Sequence, residues 1–189
     1  MKHTTTIELV ILLIMILVKA IILHQNGIKA LSFGKLDKTA LVLIFIISCF
    51  IYAALAGALG LPFPSIAGKP FWNIIILNKL AILIRIVSLI WFGITLIVFG
   101  NSFRIGIDEK TNDKLITTGT FAISRNPIFL AFIAFFLGIF LTYSNIITLT
   151  FLILLVIITH CQILKEETFL KNHYGKEYAD YCAKVRRYI

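Results

Sequence analysis

The chain has 189 residues, of which 59% are hydrophobic and 14% are charged, and its net charge is +9. This apolar share is well beyond that of an ordinary soluble domain, so the composition indicates one integral-membrane domain. The basic residues lie between apolar blocks, which argues against a nucleic-acid partner and favours contact with anionic membrane lipids. The three cysteines are scattered and suggest neither a disulfide framework nor a metal site.

The first two apolar blocks are Ile7 to Leu23 and Ala40 to Leu59. The first is near the lower length limit for a transmembrane helix; the alternative, a signal peptide, fits less well because Lys19 interrupts the block. The second block carries small residues at helical spacing, which favour close helix packing. Those small residues are Ala53, Ala56, Gly57 and Gly60.

The third apolar block, Ile74 to Phe99, follows a segment rich in proline and aromatic residues that suits the membrane interface. Arg85 lies within this block. A charged side chain in a membrane helix is costly, so Arg85 is predicted to face the bundle interior or a wet cavity. Two interpretations stay open: a structural pair with a helix carbonyl or a lipid headgroup, or a place in a substrate pocket.

A polar segment precedes two further apolar blocks, Pro127 to Thr142 and Ile146 to Leu164. Asn126 is a favourable N-cap, Pro127 is a favourable first helical residue, and Asn145 is placed to cap the following helix. These signals predict a helical hairpin whose first helix is short for a full span. The predicted fold class is therefore an all-α integral membrane protein with about five transmembrane helices.

The distribution of charge predicts the orientation. Five spans place residues 24–39, 100–126 and 165–189 on one side of the membrane, and these segments contain most of the 18 lysines and arginines. The positive-inside rule then puts the C-terminus in the cytoplasm and the N-terminus outside.

The C-terminal segment has aromatic and apolar side chains at alternating steps of four and three residues, a spacing that predicts an amphipathic cytoplasmic helix. Gly175 is expected to delay the start of that helix. The helix either lies on the bilayer surface or acts as a lid over a cofactor at the cytoplasmic mouth. Its stripe consists of Tyr174, Tyr178, Tyr181, Val185 and Tyr188.

Two polar segments carry the chemistry: LITTGTFAISRNPIF, residues 115–129, and EETFLKNHYGKEYADYCAKVRR, residues 166–187. In this order and flanking a hydrophobic hairpin, they resemble the isoprenylcysteine carboxyl methyltransferase and phospholipid methyltransferase superfamily. The resemblance covers roughly residues 100–187. It implies a membrane-embedded enzyme that uses S-adenosylmethionine, with residues 1–99 as a three-helix scaffold and residues 100–189 as the cofactor-binding core of a single domain, residues 1–189.

The resemblance also implies a set of site residues. The family's Arg-His-Pro-x-Tyr run reads Arg-Asn-Pro-x-Phe here, so Asn126 keeps a hydrogen-bonding side chain without titrating, and Phe129 keeps a ring without the hydroxyl. The catalytic residues implied are Arg125, Asn126 and Glu167. The residues implied for the cofactor are Asp113, Lys114, Leu115, Ile116, Phe121, Asn126, Pro127, Phe129 and Glu166.

These residue types suit S-adenosylmethionine. An acid such as Glu166 suits its ammonium or ribose, Arg125 and the helix N-terminus suit its carboxylate, and aromatic rings suit its adenine. Methyl transfer is an in-line displacement, for which a carboxylate nucleophile needs no base and an ammonium needs one. Glu167, His160 and Asp108 remain open as candidates for that base.

The substrate side departs from the isoprenylcysteine enzymes. Those enzymes have an arginine four residues before the first acid of the pair, where it reads the substrate carboxylate, and Gln162 stands at that position here. Gln162 lacks charge and a rigid fork, and Arg85 and Arg104 are the nearest substitutes in kind. The sequence thus predicts a methyltransferase of isoprenylcysteine type that works poorly on prenylated cysteine. The alternatives are a phospholipid N-methyltransferase and a non-catalytic membrane transport or accessory protein.

Overall fold

The computed structural model describes residues 2–26, 38–64, 69–100 and 115–189, and all regular structure in these ranges is helical. The all-α prediction is therefore confirmed. The site residues predicted at Asp113, Lys114, Asp108 and Arg104 lie outside the described residues. The six α-helices are α1 (Lys2–Gln25), α2 (Lys38–Leu59), α3 (Ile75–Phe99), α4 (Pro127–Thr142), α5 (Ile146–Tyr174) and α6 (Lys176–Lys184), and a short 3₁₀ helix spans Gly119–Ala122.

Four of these helices, α1, α2, α3 and α5, are long and apolar enough to cross a membrane. The helix α4 has 16 residues, which corresponds to about 24 Å and falls short of a hydrocarbon core of about 30 Å. The bundle thus agrees with about five spans. Large apolar side chains such as Ile76 and Ile97 project outward, with exposed fractions of 72% and 80%, as expected of surfaces that face lipid.

Successive helices alternate in direction. Contacts between α1 and α3 join Glu8 to Arg85 and Lys19 to the carbonyl of Leu96, so these two helices run parallel. The helix α4 runs antiparallel to α3. Trp91, later in α3, donates from Nε1 to the carbonyl of Pro127 at the start of α4 at 3.1 Å, whereas Arg85, earlier in α3, donates to a carbonyl toward the end of α4. The beginning of α4 and the end of α5 therefore meet at one end of the bundle.

The closest approach of two helices occurs where α4 passes α3. A Cβ atom built at Gly138 would lie 2.5 Å from Arg85 Cγ and 2.9 Å from the carbonyl oxygen of Ala81. Only glycine leaves room for that crossing, which brings backbone close to backbone. The predicted small-residue face of α2 is packed only in part. Ala53 and Ala56 are each 3% exposed and Gly57 lies against the ring of Tyr143, whereas Gly60 is exposed and a Cβ atom there would meet nothing within 4 Å.

Arg85 is fully buried, as predicted for an arginine that faces the bundle interior. Its Nε forms an ion pair with Glu8, and its Nη1 donates to the carbonyl of Gly138 at 2.9 Å and to Thr142 Oγ1 at 2.6 Å. Its partners thus come from α1 and α4. Gly138 lies eleven residues along α4 from Pro127, which is about 16 Å.

We expect the Arg85 pair to hold α1 against the bundle. Glu8→Gln leaves a buried guanidinium without its counter-ion and should lower the free energy of unfolding by about 3–5 kcal/mol, whereas the double variant Glu8→Leu with Arg85→Met should lose less. Denaturation of the purified protein in detergent measures both. Glu177→Gln, on the exposed face of α6, is the control. Wild-type stability of Glu8→Gln would contradict this role.

Candidate active site

The centre of the candidate site is the carboxylate of Glu167, near the end of α5. Arg125 Nη2 lies 3.2 Å from its Oε1. Arg187 Nε lies 3.1 Å from both carboxylate oxygens, and Arg187 Nη2 donates to Oε2 at 2.8 Å. The carboxylate is 12% exposed, so these charge-assisted hydrogen bonds are only partly weakened by water. One carboxylate between two guanidinium groups leaves the cluster with one net positive charge.

Asn126 takes the N-cap position of α4 and Pro127 follows as its first residue, as predicted. The Asn126 side chain makes no capping hydrogen bond. Its Nδ2 instead donates to the carbonyl of Arg187 at 3.2 Å and approaches Glu167 Oε1 at 3.5 Å. The first amides of α4 therefore have no side-chain cap, and Asn126 belongs to the Glu167 cluster.

The residues after α6 form an extended C-terminal tail, Val185 to Ile189, that lies across the cluster. The amide of Arg125 donates to the carbonyl of Arg186 at 3.1 Å. Ser124 Oγ donates to the carbonyl of Arg187 at 3.3 Å. Sequence reasoning did not single out Arg187. The only signal for it was its place at the end of the segment that carries the resemblance.

The helix α6 is amphipathic, as predicted, and it begins after Gly175, whose φ is +54°. Tyr178 and Tyr181 are 4% and 7% exposed. Tyr181 donates from its hydroxyl to the carbonyl of Phe121 at 2.6 Å. Burial raises the pKa of Tyr181 to about 12 and also raises that of Tyr178, so both rings are neutral phenols.

The predicted stripe is longer than the helix. The helix α6 ends at Lys184, and Val185 is extended with φ −121° and ψ 130°. Val185 and Tyr188 therefore belong to the tail. The helix stops here because backbone carbonyls of the tail accept hydrogen bonds from residues 124 and 125. In a continuing helix, such carbonyls would accept from amides of the helix itself.

The turn that carries Arg125 is fixed against the end of α3. Gly119 has φ +62°, and a Cβ atom there would lie 2.7 Å from Val98 Cγ2. Phe121 is buried against the ring of Phe99, with a centroid separation of 5.0 Å. Gly119, with its positive φ and close contact to Val98, thus starts the 3₁₀ helix. The packing of Phe121 on Phe99 holds that helix against the end of α3.

A comparison with known families shows which family the chain belongs to. The family described as phospholipid methyltransferase matches residues 72–177, more than half of the chain. The chain belongs to this family. No curated protein matches the sequence. The match contains Arg125, Asn126 and Glu167 and stops before Arg187.

Membership of the phospholipid methyltransferase family makes the chain a multi-pass membrane methyltransferase, and it confirms the resemblance seen in the sequence. The family consists of enzymes that generally use S-adenosylmethionine. The matched region begins before α3 and ends inside α6, so it contains the whole α4–α5 hairpin.

In this phospholipid methyltransferase-family protein, the two adjacent acids of α5 point to different partners. Glu166 Oε1 accepts from Gln162 Nε2 at 3.0 Å. Gln162 is 3% exposed, and its Oε1 has no hydrogen-bond partner. The predicted residues thus fall into two groups, one around Glu167 and one of Gln162 with Glu166. Arg85 lies apart from both, toward the far end of α4.

The remaining predicted positions lie in the segment before α4 and on the first turn of that helix. Leu115 and Ile116 are half-buried at the start of the segment that leads to α4, and Phe129 is half-buried on the first turn of α4. Pro127 is buried. Among the described residues, no group of three or more His, Cys, Asp or Glu side chains is arranged to hold a metal ion.

Removing the carboxylate of Glu167 should release the tail. Glu167→Ala leaves Arg125 and Arg187 as neighbouring cations, and the loss of charge-assisted hydrogen bonds worth about 1.5–3 kcal/mol should increase the population of the detached tail about tenfold or more. Trypsin cleavage after Arg187, followed by mass spectrometry, measures this population. Glu177→Ala is the control. Equal cleavage rates in Glu167→Ala and the wild type would show that the carboxylate does not hold the tail.

Proposed function

We propose that this protein transfers a methyl group from S-adenosylmethionine to an amphiphilic substrate at the end of the bundle where α4 begins and α5 ends. The observation that carries the proposal is the convergence of Arg125, Asn126 and Glu167 from separate elements of the matched family region. This convergence puts hydrogen-bond donors, acceptors and fixed charges around one small volume at a helix N-terminus.

Unpaired buried polar atoms support the fit of the cofactor. Arg125 Nε and Gln162 Oε1 are both buried without a hydrogen-bond partner. A bound α-amino acid group has a carboxylate that accepts from a donor such as Arg125 and an ammonium that donates to acceptors such as Gln162 and Glu166. Binding would thus satisfy atoms whose burial otherwise costs free energy.

The bound cofactor supplies an electrophilic methyl group on a sulfonium. The work left to the chain is to bind, to orient and to exclude water. Arg125 and Glu166 bind the amino acid part, Phe129, Leu115 and Ile116 offer apolar surface, and the tail covers the mouth. Neither Asn126 nor the neutral Tyr181 takes a proton at the pH of the cell.

Of the two substrate types, the contacts favour a phospholipid amine over an isoprenylcysteine carboxylate. Gln162, which stands where the isoprenylcysteine enzymes have their arginine, is uncharged and paired with Glu166. Arg85 is paired with Glu8 and lies away from the cluster. Neither residue offers a free cation to a substrate carboxylate.

The cofactor site is tested by binding. Arg125→Ala and Glu166→Ala should each weaken S-adenosylmethionine binding by about 1.5–3 kcal/mol, because each removes a charge-assisted hydrogen bond. Calorimetry on detergent-purified protein measures the affinity, with Glu177→Ala as the control. Labelled cofactor should then methylate phosphatidylethanolamine in vesicles in preference to a farnesyl-cysteine analogue. Unchanged affinity in both folded variants would refute the site.

The proposal places the cluster on the cytoplasmic side, where the cofactor is supplied. The excess of basic residues in segments 24–39, 100–126 and 165–189 supports this orientation. A reporter fused after Ile189 should be active only as a cytoplasmic enzyme, and one fused before Met1 only outside. Activity of the C-terminal fusion outside the cell would reverse the orientation.

A further inference from the structure

A second pair of side chains connects the tail to α5. His160 Nδ1 lies 2.7 Å from the hydroxyl of Tyr188, and the two rings are 6.2 Å apart between centroids. His160 precedes Glu167 by seven residues on α5, which places both on one face, with His160 about 10 Å further into the bundle. Tyr188 directly follows Arg187, so the tail runs along α5 from the carboxylate to the imidazole.

If the substrate is an amine, as proposed above, the reaction needs a proton acceptor. A primary or secondary ammonium has no lone pair and attacks a methyl group only after it loses a proton. Glu167 is poorly placed for that task, because both of its oxygens already accept from guanidinium groups. Burial raises the pKa of Tyr188, so the phenol is not a base either.

We propose that His160 is the general base that deprotonates the substrate ammonium, and that Tyr188 is its positioning residue; the inference rests on the proposed function. The proposal assigns His160 the tautomer in which Nδ1–H donates to the Tyr188 hydroxyl oxygen, so that the lone pair of the neutral ring is on Nε2. Among the described residues, Nε2 has no hydrogen-bond partner. The pair thus presents an oriented acceptor on the face of α5 that also carries Glu167.

The step balances in atoms and charge. Nε2 takes a proton from R–NH₃⁺, which gives R–NH₂ and an imidazolium. The amine lone pair forms a bond to the methyl carbon while the carbon–sulfur bond breaks, and that electron pair stays on sulfur. The products are R–NH₂–CH₃⁺ and a neutral thioether, and the imidazolium returns its proton to water.

On the face of α5 that carries His160, the nearest charged groups belong to the Glu167 cluster. Glu167 of α5 lies between Arg187 of the tail and Arg125, so this cluster, about 10 Å along α5 from His160, carries one net positive charge. Tyr178 of α6 is a neutral phenol. The helix α4 contains no titratable side chain, and Lys38 is the only charged residue of α2. The neighbouring Cys161 is exposed.

The experiment measures methylation of phosphatidylethanolamine in vesicles as a function of pH, together with cofactor affinity. His160→Gln should lower kcat at pH 7.5 by about 10²–10⁴-fold, with cofactor affinity within about twofold of the wild type. Its rate should rise about tenfold per pH unit above pH 7, because the substrate amine must then lose its proton to solvent. Added imidazole should restore part of the activity of His160→Ala. His173→Gln, an exposed histidine stacked on Phe169, is the control.

The variant Tyr188→Phe tests whether the Tyr188 hydroxyl orients the His160 imidazole or only holds the tail in place. It should lower kcat about tenfold and leave cofactor affinity unchanged, because only the orientation of the imidazole is lost. A wild-type rate in His160→Gln with intact cofactor affinity would overturn the inference and leave the proposed methyltransferase standing. The inference would also be overturned if the wild type methylated only the farnesyl-cysteine carboxylate, or if His160→Gln lost cofactor affinity while Tyr188→Phe kept full kcat. Absence of cofactor binding in the wild type would instead overturn the proposed function.

Discussion

The position of the Glu167 carboxylate between two guanidinium groups is the constraint on which the site depends. Arg125 comes from the turn before α4, Glu167 from α5 and Arg187 from the tail, so three separate parts of the chain meet in one ion cluster. Each contact is charge-assisted; the Arg125 and Glu167 side chains are 13% and 12% exposed, whereas Arg187 is 35% exposed. The mostly buried charges of Arg125 and Glu167 are costly to leave unpaired. The same carboxylate that contacts Arg125 therefore also holds the tail across the start of α4.

A second polar cluster, Arg85 with Glu8 and Thr142, lies at the other end of α4. Between the two clusters α4 buries Phe135, Phe136 and Ile139 almost completely. This apolar layer separates the two clusters along α4, so each forms its ion pairs at its own end of the helix. The scaffold and the site are consequently stabilised by different ion pairs, and Gly138 allows α3 to approach α4 closely enough for Arg85 to reach its carbonyl.

The features that the sequence predicted correctly are those that local sequence signals determine. The bounds of α4 were found because Asn126 and Pro127 mark its start, and the capping box of Asn145 with Thr148 marks the next helix. The end of α5 was placed too early, at Leu164, because helix propensity continues to Tyr174 after hydrophobicity stops. The partners of Glu167 and Arg85 were not predicted, since Glu8 and Arg187 reach them through the tertiary path of the chain, which no local pattern encodes.

These contacts explain what Asn126 does at the position where the isoprenylcysteine enzymes have a histidine. The Asn126 amide donates to the carbonyl of Arg187 and so helps to place the tail, a task that needs a donor but no titration. A protein with Asn126 at the helix start has no proton acceptor there. The tail held by Asn126 and Glu167 is the same segment that brings the Tyr188 hydroxyl to His160. If His160 takes the proton of an amine substrate, as proposed above, the transfer occurs at the face of α5 instead of the start of α4, and the tail held by Glu167 brings the Tyr188 hydroxyl to the imidazole.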